Sequence, residues 1–316
     1  MSDFALKRYC MTHIDHKQAL AFVTICAEGS IRGAAEYLGI EPSTISRQIQ
    51  ALEKSLSITL IERGRKGIRT TEAGALLLQH LKRQQHELED IQSEFDALRG
   101  MRRGQIVVIL GDGFVSDFIT HTLPEFSATY PGFTFSLQTG STDTVLHALR
   151  NDQAHIGIAF NAPKDQAIRV IGETTQPLNM VVSPSSRWAD MPEHLDIRQL
   201  SDLPFALLNP GFGVGAMVRE AETRYEIHFQ TLVETNSFTV LRNFVREGLG
   251  TTLLPSFVVT REISDGVVIA KSLSNPELHS GEVSVLARSG RRLPEGAMRL
   301  AEHAMRSMVA FSTRSE

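Results

Sequence analysis

Between Asp15 and Glu28 the apolar residues Ala19, Phe22, Val23 and Cys26 recur at i, i+3, i+4 and i+7, which is one face of an α-helix, and Gly29 supplies the stop. Ser30 has the chemistry to cap a second, short helix through Leu38, with Ile31, Ala34, Ala35 and Leu38 inward and Gly39 as its left-handed end. The small pair Ala34-Ala35 lets another helix cross closely. Pro42 falls in the first turn of a third helix, whose Ile45, Ile49, Leu52 and Leu56 form an inward stripe. That stripe leaves Ser43, Ser46, Arg47 and Gln50 facing outward together. Thr71 caps a long helix reaching about Arg99, along which Leu77, Leu81, Gln84, Leu88, Ile91, Phe95 and Leu98 are spaced 4, 3, 4, 3, 4, 3. This heptad seam predicts a dimerisation helix carried by Leu77, Leu81, Leu88, Ile91 and Phe95. The alternative is one long helix packed on its own domain, for which no residues nearby in sequence supply a cover.

From Gly104 onward strand and helix patterns alternate. Strands are predicted at 106–110, 133–138 and 156–160, with helices at 117–130 (Phe118, Ile119, Leu123 and Phe126 inward) and 142–151. A second series follows: 178–182, 205–208, a helix 215–225, 229–233, a helix 238–247 and 251–254. A strand 283–287 and a helix from about 294 to 311 close the chain. The alternation predicts parallel sheets with crossover helices. The run Gly211-Phe212-Gly213-Val214-Gly215 does not fit the dinucleotide fingerprint and is read as a flexible turn.

With 316 residues, 42% of them hydrophobic and 22% charged, the chain has the composition of a globular protein of about two domains and not of a disordered or fibrous one. No run approaches a membrane span and residues 1–12 hold no apolar signal core, so a cytoplasmic protein without a membrane partner is expected. Cys10 and Cys26 build no disulfide framework or zinc site, His13 and His16 are read as solvated, and neither metal nor cofactor is predicted. The net charge of −4 hides an asymmetry: residues 1–70 hold ten Lys/Arg against seven Asp/Glu, the remainder twenty-two against twenty-nine. Residues 42–70 are more basic still, with Arg47, Lys54, Arg63, Arg65, Lys66 and Arg69 against Glu53 and Glu62.

Two helices joined by a tight glycine turn, the second opening with hydroxyls, a guanidinium and an amide, fit a helix-turn-helix whose second helix enters the major groove of double-stranded DNA. Arg pairs with guanine, Gln with adenine, and Ser or Thr with bases or phosphates. A helical hairpin with a solvated polar face is the competing reading. The basic segment after it, with Gly64 and Gly67, favours DNA, because a basic wing laid along phosphates gives its cations a purpose. The residues assigned to DNA are Ser30, Pro42, Ser43, Thr44, Ser46, Arg47, Gln50, Arg63, Arg65 and Lys66.

The order of these parts resembles the LysR-type transcriptional regulators. The likeness is carried by Phe22-Val23, Glu28-Gly29-Ser30, Ala34-Ala35 with Leu38, Ser46-Arg47-Gln48-Ile49 with Leu52-Glu53, Leu60-Ile61-Glu62-Arg63 and Thr71-Glu72-Ala73-Gly74, and extends more loosely over the rest. The third helix departs from it, opening Glu41-Pro42-Ser43-Thr44 where many members have a serine cap followed by Gln-Pro. The resemblance implies an α+β multidomain chain: an N-terminal extension (1–12), a winged helix-turn-helix (13–71), a linker and dimerisation helix (72–100), and an α/β effector domain like a periplasmic binding protein (104–316). Its subdomains would be 104–174 with 274–316, and 175–273. It also implies a dimer or dimer of dimers, a small-molecule effector held between the subdomains, and RNA polymerase as a partner if the protein activates. His155 stands where relatives often carry aspartate and is read as solvated.

Ligands of open α/β sheets bind beyond the carboxyl ends of strands, near helix N-termini. That rule selects Phe114, Ser116, Thr139, Ser141, Thr142, Phe160, Asn209, Phe212, Asn236 and Ser237, and the resemblance places effector contacts at Ser141, Thr142 and Asn236. None is cationic, while Asp112, Asp117 and Asp143 lie close in sequence and Phe114 and Phe212 offer ring faces. A neutral or cationic effector is therefore expected. With no nucleophile elbow, phosphate loop or metal-ligand spacing, no enzyme activity is predicted. The alternative is a cytoplasmic small-molecule-binding α/β protein or enzyme whose N-terminal helices only dimerise it, but that gives no reason for the basic wing beside an outward Arg47.

Overall fold

The computed structural model describes residues 14–64, 67–98 and 103–312. The chain divides into two compact units, Met1–Glu89 and Asp90–Glu316.

In the first unit α1 (His16–Glu28), α2 (Ile31–Leu38) and α3 (Pro42–Leu56) form a three-helix head, followed by the hairpin β1 (Ile61–Gly64) and β2 (Gly67–Thr70). Asp15 caps α1 through the Lys17 N–H and Ser30 caps α2 through the Gly33 N–H; Gly29 and Gly39 end these helices with φ of 65°. Ala21, Phe22, Ile25, Ala34, Ala35, Ile45, Ile49 and Leu52 make the core, each side chain of Leu or Phe size contributing about 1.5–3 kcal/mol of burial. The buried stripe of α1 is thus rotated from the expected one: Phe22 lies at its centre, while Ala19, Val23 and Cys26 sit half-buried on its shoulder. Half-burial in this apolar setting pushes the Cys26 thiol up to about 11, with Lys82 partly opposing.

The long helix α4 (Glu72–Leu98) is capped by Thr71, whose Oγ1 accepts the Gly74 N–H at 3.0 Å. Its seam is divided. Leu81 is buried in the core of the head and Leu77 packs half-buried against it, whereas Leu88, Ile91 and Phe95 are exposed. Leu81 is therefore not free to serve a seam between copies; the three-helix core, distant in sequence from Leu81, covers it.

The second unit begins with β3 (Gly104–Gly111), a short helix α5 (Val115–Asp117), a π turn over Phe118–Thr122 and α6 (Leu123–Thr129). The expected continuous helix is broken there because Pro124 has no N–H to return to the preceding turn. Ile119 consequently points to solvent, whereas Phe118 and Phe126 are buried as expected and Leu123 is partly buried against the core. Then come β4 (Phe133–Gly140), α7 (Thr142–Arg150), β5 (Ile156–Phe160), β6 (Ile168–Thr175), β7 (Leu178–Val182), the short β8 (His194–Leu195) and β9 (Pro204–Leu208). The chain continues with α8 (Gly213–Tyr225), β10 (Gln230–Thr235), α9 (Phe238–Arg246), β11 (Thr252–Pro255), α10 (Thr260–Ser264), β12 (Ile269–Leu273), β13 (Glu282–Arg288) and α11 (Glu295–Ser307).

A five-stranded sheet has the order β4-β3-β5-β13-β6, and a four-stranded sheet the order β11-β7-β12-β8 beside the parallel pair β9-β10. The sheets are mixed where parallel ones were expected. β13 runs antiparallel to β5 and β6, and β7 antiparallel to β11 and β12. Both faces of β3 are covered, Ile106, Val108 and Leu110 facing one core and Val107 and Ile109 another beneath α7. A strand buried on both sides reads as a continuous apolar run, which conceals its direction of pairing. Strands β6 and β12, with their weaker apolar signal, were not anticipated. His155 is buried, not solvated: its Nδ1 accepts the Val107 N–H at 2.9 Å while its backbone N–H donates to the Val107 carbonyl, closing the β3–β5 ladder. Among the described residues no helix is long and apolar enough to cross a membrane.

Candidate nucleic-acid interface and ligand cleft

On α3 the residues left outside the core are arranged as the stripe requires. Ser43, Arg47 and Gln50 are exposed, and Thr44 and Ser46 half-buried. Arg47 lies along its own helix, Nε donating to the Ser43 carbonyl at 3.3 Å and Nη2 to Thr44 Oγ1 at 3.4 Å. Such long, exposed hydrogen bonds are readily exchanged for a base edge. Glu41 holds the N-cap position without a side-chain cap bond, and Pro42 opens the helix. A groove of about 620 Å³ runs beside this end, lined by Arg32, Glu36, Ile40, Glu41, Pro42 and Thr44 among others. Ser30 serves the fold directly as the α2 cap. Arg63 falls on β1, and Arg65 and Lys66 lie outside the described residues.

Two residues matched for family resemblance prove to fix the wing. Glu53 Oε1 accepts the N–H of Leu60 at 2.7 Å and of Ile61 at 3.2 Å, tying the hairpin's entrance to α3. Gly74 lets α4 pass against the Leu60 carbonyl, which a Cβ there would strike. The Ile68 N–H reaches the Gly29 carbonyl at 2.9 Å and anchors β2 to the turn between α1 and α2.

In the second unit a cavity of about 620 Å³ is lined by Asp112, Thr139, Gly140, Ser141, Thr144, Asn209, Gly211, Phe212, Asn236 and Ser237. Six of the ten expected effector residues meet there: Thr139, Ser141, Asn209, Phe212, Asn236 and Ser237. Three helices start at its wall. Ser141 caps α7 through the Thr144 N–H at 3.2 Å, while Phe212 and Ser237 stand at the N-caps of α8 and α9 without a side-chain cap bond. Helix N-termini present N–H groups and partial positive charge. Asn209 Oδ1 is buried in this wall with no partner among the described residues.

Phe114, Thr142 and Phe160 are placed deeper, with Phe212, around an apolar recess of about 20 Å³. That space admits no organic ligand. Phe114 stacks on Phe257 with ring centroids 4.9 Å apart, so it is a packed floor and not an open ring face. Thr142 is a strut: its Oγ1 donates to the Phe160 carbonyl at 3.4 Å and accepts the Gly213 N–H at 3.0 Å. Gly213 itself abuts the Phe160 carbonyl and Gly215 the carbonyls of Leu208 and Asn209. The glycine run is thus the tight start of α8, where side chains have no room, and not a flexible turn. Ser116 is exposed and lines neither cavity. Asp117 is also absent from the cleft. It is buried, accepting His121 Nδ1 at 2.8 Å and the N–H groups of Val309 and Ala310 at 3.0 and 2.8 Å, and so holds the C-terminal turn. Thr144 was missed, because its place one turn into α7 carries no signal in a sequence.

A helix-turn-helix with a wing, followed by an α/β unit with a polar cleft at three helix starts, is the architecture of a DNA-binding regulator that carries a substrate-binding domain. Residues 16–75 match the family described as bacterial regulatory helix-turn-helix protein, lysR family, and residues 99–308 match the LysR substrate binding domain. The chain belongs to the LysR family of transcriptional regulators. It is 26% identical over 266 residues to a probable nitrogen assimilation transcriptional activator of Synechococcus elongatus, covering 83% of this chain and 85% of that one. Its fold is shared with a full-length OxyR variant from Pseudomonas aeruginosa (TM-score 0.73, 20% identity, 96% of this chain and 99% of that one). It is shared also with full-length CbnR complexed with its target DNA (TM-score 0.67, 20% identity, 92% and 99%). The curated relatives are regulators and not enzymes, which agrees with the expectation of no catalytic activity.

Proposed function

We propose that residues 13–71 read a specific operator in double-stranded DNA through Ser43, Ser46, Arg47 and Gln50. In this reading the wing residues Arg63, Arg65, Lys66 and Arg69 add phosphate contacts, and the solved CbnR structure with target DNA supports DNA as the partner. The helix within 72–100 dimerises the chain through Leu88, Ile91 and Phe95, whose exposure on α4 is the supporting observation. The unit 104–316, with subdomains 104–174 plus 274–316 and 175–273, senses a small molecule in the 620 Å³ cleft. Dimers of this kind pair into a tetramer in this scheme, and RNA polymerase is a partner where the protein activates.

The observation that carries the sensing role is the convergence of Ser141, Asn209, Asn236 and three helix N-termini on one cavity. Among the described residues Asp112 is the one carboxylate in its wall and opposes an anion, while the helix starts oppose a cation. The effector we infer is a neutral polar molecule, which narrows the expected neutral or cationic class. It acts only by binding one arrangement of the protein more tightly than another.

Footprinting on DNA flanking the protein's own gene tests the DNA role. Wild type protects an interrupted dyad, more weakly as salt rises. Arg47→Ala loses about 1–3 kcal/mol on the operator and less on unrelated DNA; equal loss on both assigns Arg47 to phosphate. Leu88→Asp shifts the mass in light scattering from dimer to monomer, and an unchanged dimer removes Leu88 from the interface.

A further inference from the structure

A second cavity in the 90–316 unit, of about 640 Å³, is as large as the effector cleft and has a different chemistry. It lies where the chain passes from the five-stranded sheet into the four-stranded one, at Thr175–Pro177, and is closed by the segment around α10, by His279 and by the C-terminal turn. Among the described residues that line it, none is Asp, Glu, Lys or Arg. Its acceptors are specific. Asn179 is only 8% exposed; its Nδ2 donates to Ser256 Oγ at 3.0 Å and to the Pro177 carbonyl at 3.3 Å, so the amide is fixed in orientation. That leaves Oδ1 accepting from nothing among the described residues. Gln176 is held likewise, its Nε2 donating to the carbonyls of Ala310 and Ser312 and its Oε1 unused among the described residues. The His279 Nε2 bond to the Leu273 carbonyl requires the proton on that nitrogen, which in the neutral ring makes Nδ1 an acceptor.

We propose that this hinge groove is a second ligand site, for a neutral, hydroxyl-rich molecule of the sugar or polyol class. Amide and imidazole acceptors call for a ligand that donates hydrogen bonds, and the Ser and Thr hydroxyls of the wall adjust to either role. Among the described residues of the wall an anion meets these acceptors with no cation beside them, and an ammonium is desolvated with no carboxylate to pair with. Pro177, exposed at the groove, offers apolar surface to the ring face of a sugar, and the buried Phe257 backs the wall. Phe257 also gives the groove its consequence. The same residue, stacked on Phe114, lines the apolar recess that shares Asp112 and Phe212 with the effector cleft, so a ligand in the groove is one layer of side chains from the cleft wall.

Calorimetry on the full-length chain without DNA tests the site, using D-glucose, D-ribose, myo-inositol and glycerol against glucose 6-phosphate, gluconate and glucosamine. At least one neutral compound binds saturably, and its charged counterparts bind at least tenfold more weakly. Thr260→Trp, which fills the groove, abolishes that binding, and Thr144→Trp, which fills the effector cleft, retains it. Ser264→Trp repeats the first arm should Thr260→Trp lose its native circular dichroism. The proposal fails if no neutral compound binds, if the charged ones bind as well, or if binding survives both groove variants or is lost with Thr144→Trp.

Discussion

The proposed base-reading residues of the head, Ser43, Ser46, Arg47 and Gln50, all stand on one helix, α3, while the effector cleft gathers Thr139, Ser141, Asn209 and Asn236 from the ends of different strands across the second unit. The contrast governs how each is held. In the head the site's geometry follows from local signals: caps, glycine stops and a stripe that buries Ile45, Ile49 and Leu52. The cleft depends on close approaches between distant segments, as where Thr142 bridges the Phe160 carbonyl and the Gly213 N–H. A helix surface tolerates change around it; a cleft made by backbone contact does not.

The largest expected effect tests the first half of this contrast. Phe22→Ala empties the centre of the small core and costs about 3–5 kcal/mol. Chemical denaturation followed by circular dichroism, with operator binding as a second readout, measures it, and a loss below about 1 kcal/mol means the core does not set the head. Next, Gly213→Ala places a methyl against the Phe160 carbonyl and costs about 1–3 kcal/mol, with weaker effector response at unchanged operator affinity. An unaltered response shows that the cleft does not depend on that approach. The smallest is Glu53→Gln, which keeps an acceptor for Leu60 and Ile61 but removes the charge, for about 1 kcal/mol. Its effect should fall on the wing, as a lower salt dependence of DNA binding.

Legibility in the sequence follows the same division. The three helices, their caps and the exposed face of α3 were readable because each signal lies within a turn or two of its effect. The seam of α4 was readable only as a period: Leu81 and Leu88 look alike in sequence, yet one meets the folded head and the other does not. In the second unit the strand-end rule located six cleft residues but also selected Phe114, Ser116, Thr142 and Phe160, which do not line that cavity, and Asp117, close to them in sequence, lies outside it as well. Whether Asp117 faces the cleft or caps the turn at Val309 depends on a contact almost two hundred residues away. Strand direction was hidden for a related reason, since apolar runs buried on both faces carry no mark of their partner. The glycines at 213 and 215 were visible as a run, but the carbonyls that require them were not.

The division of labour between head and cleft is tested most directly by footprinting Thr144→Trp beside wild type, with and without a panel of neutral metabolites. The variant should protect the same operator as wild type while the change that a metabolite produces in the wild-type footprint disappears. A variant that still responds to the metabolite, or a wild type whose footprint no metabolite alters, would contradict sensing in this cleft.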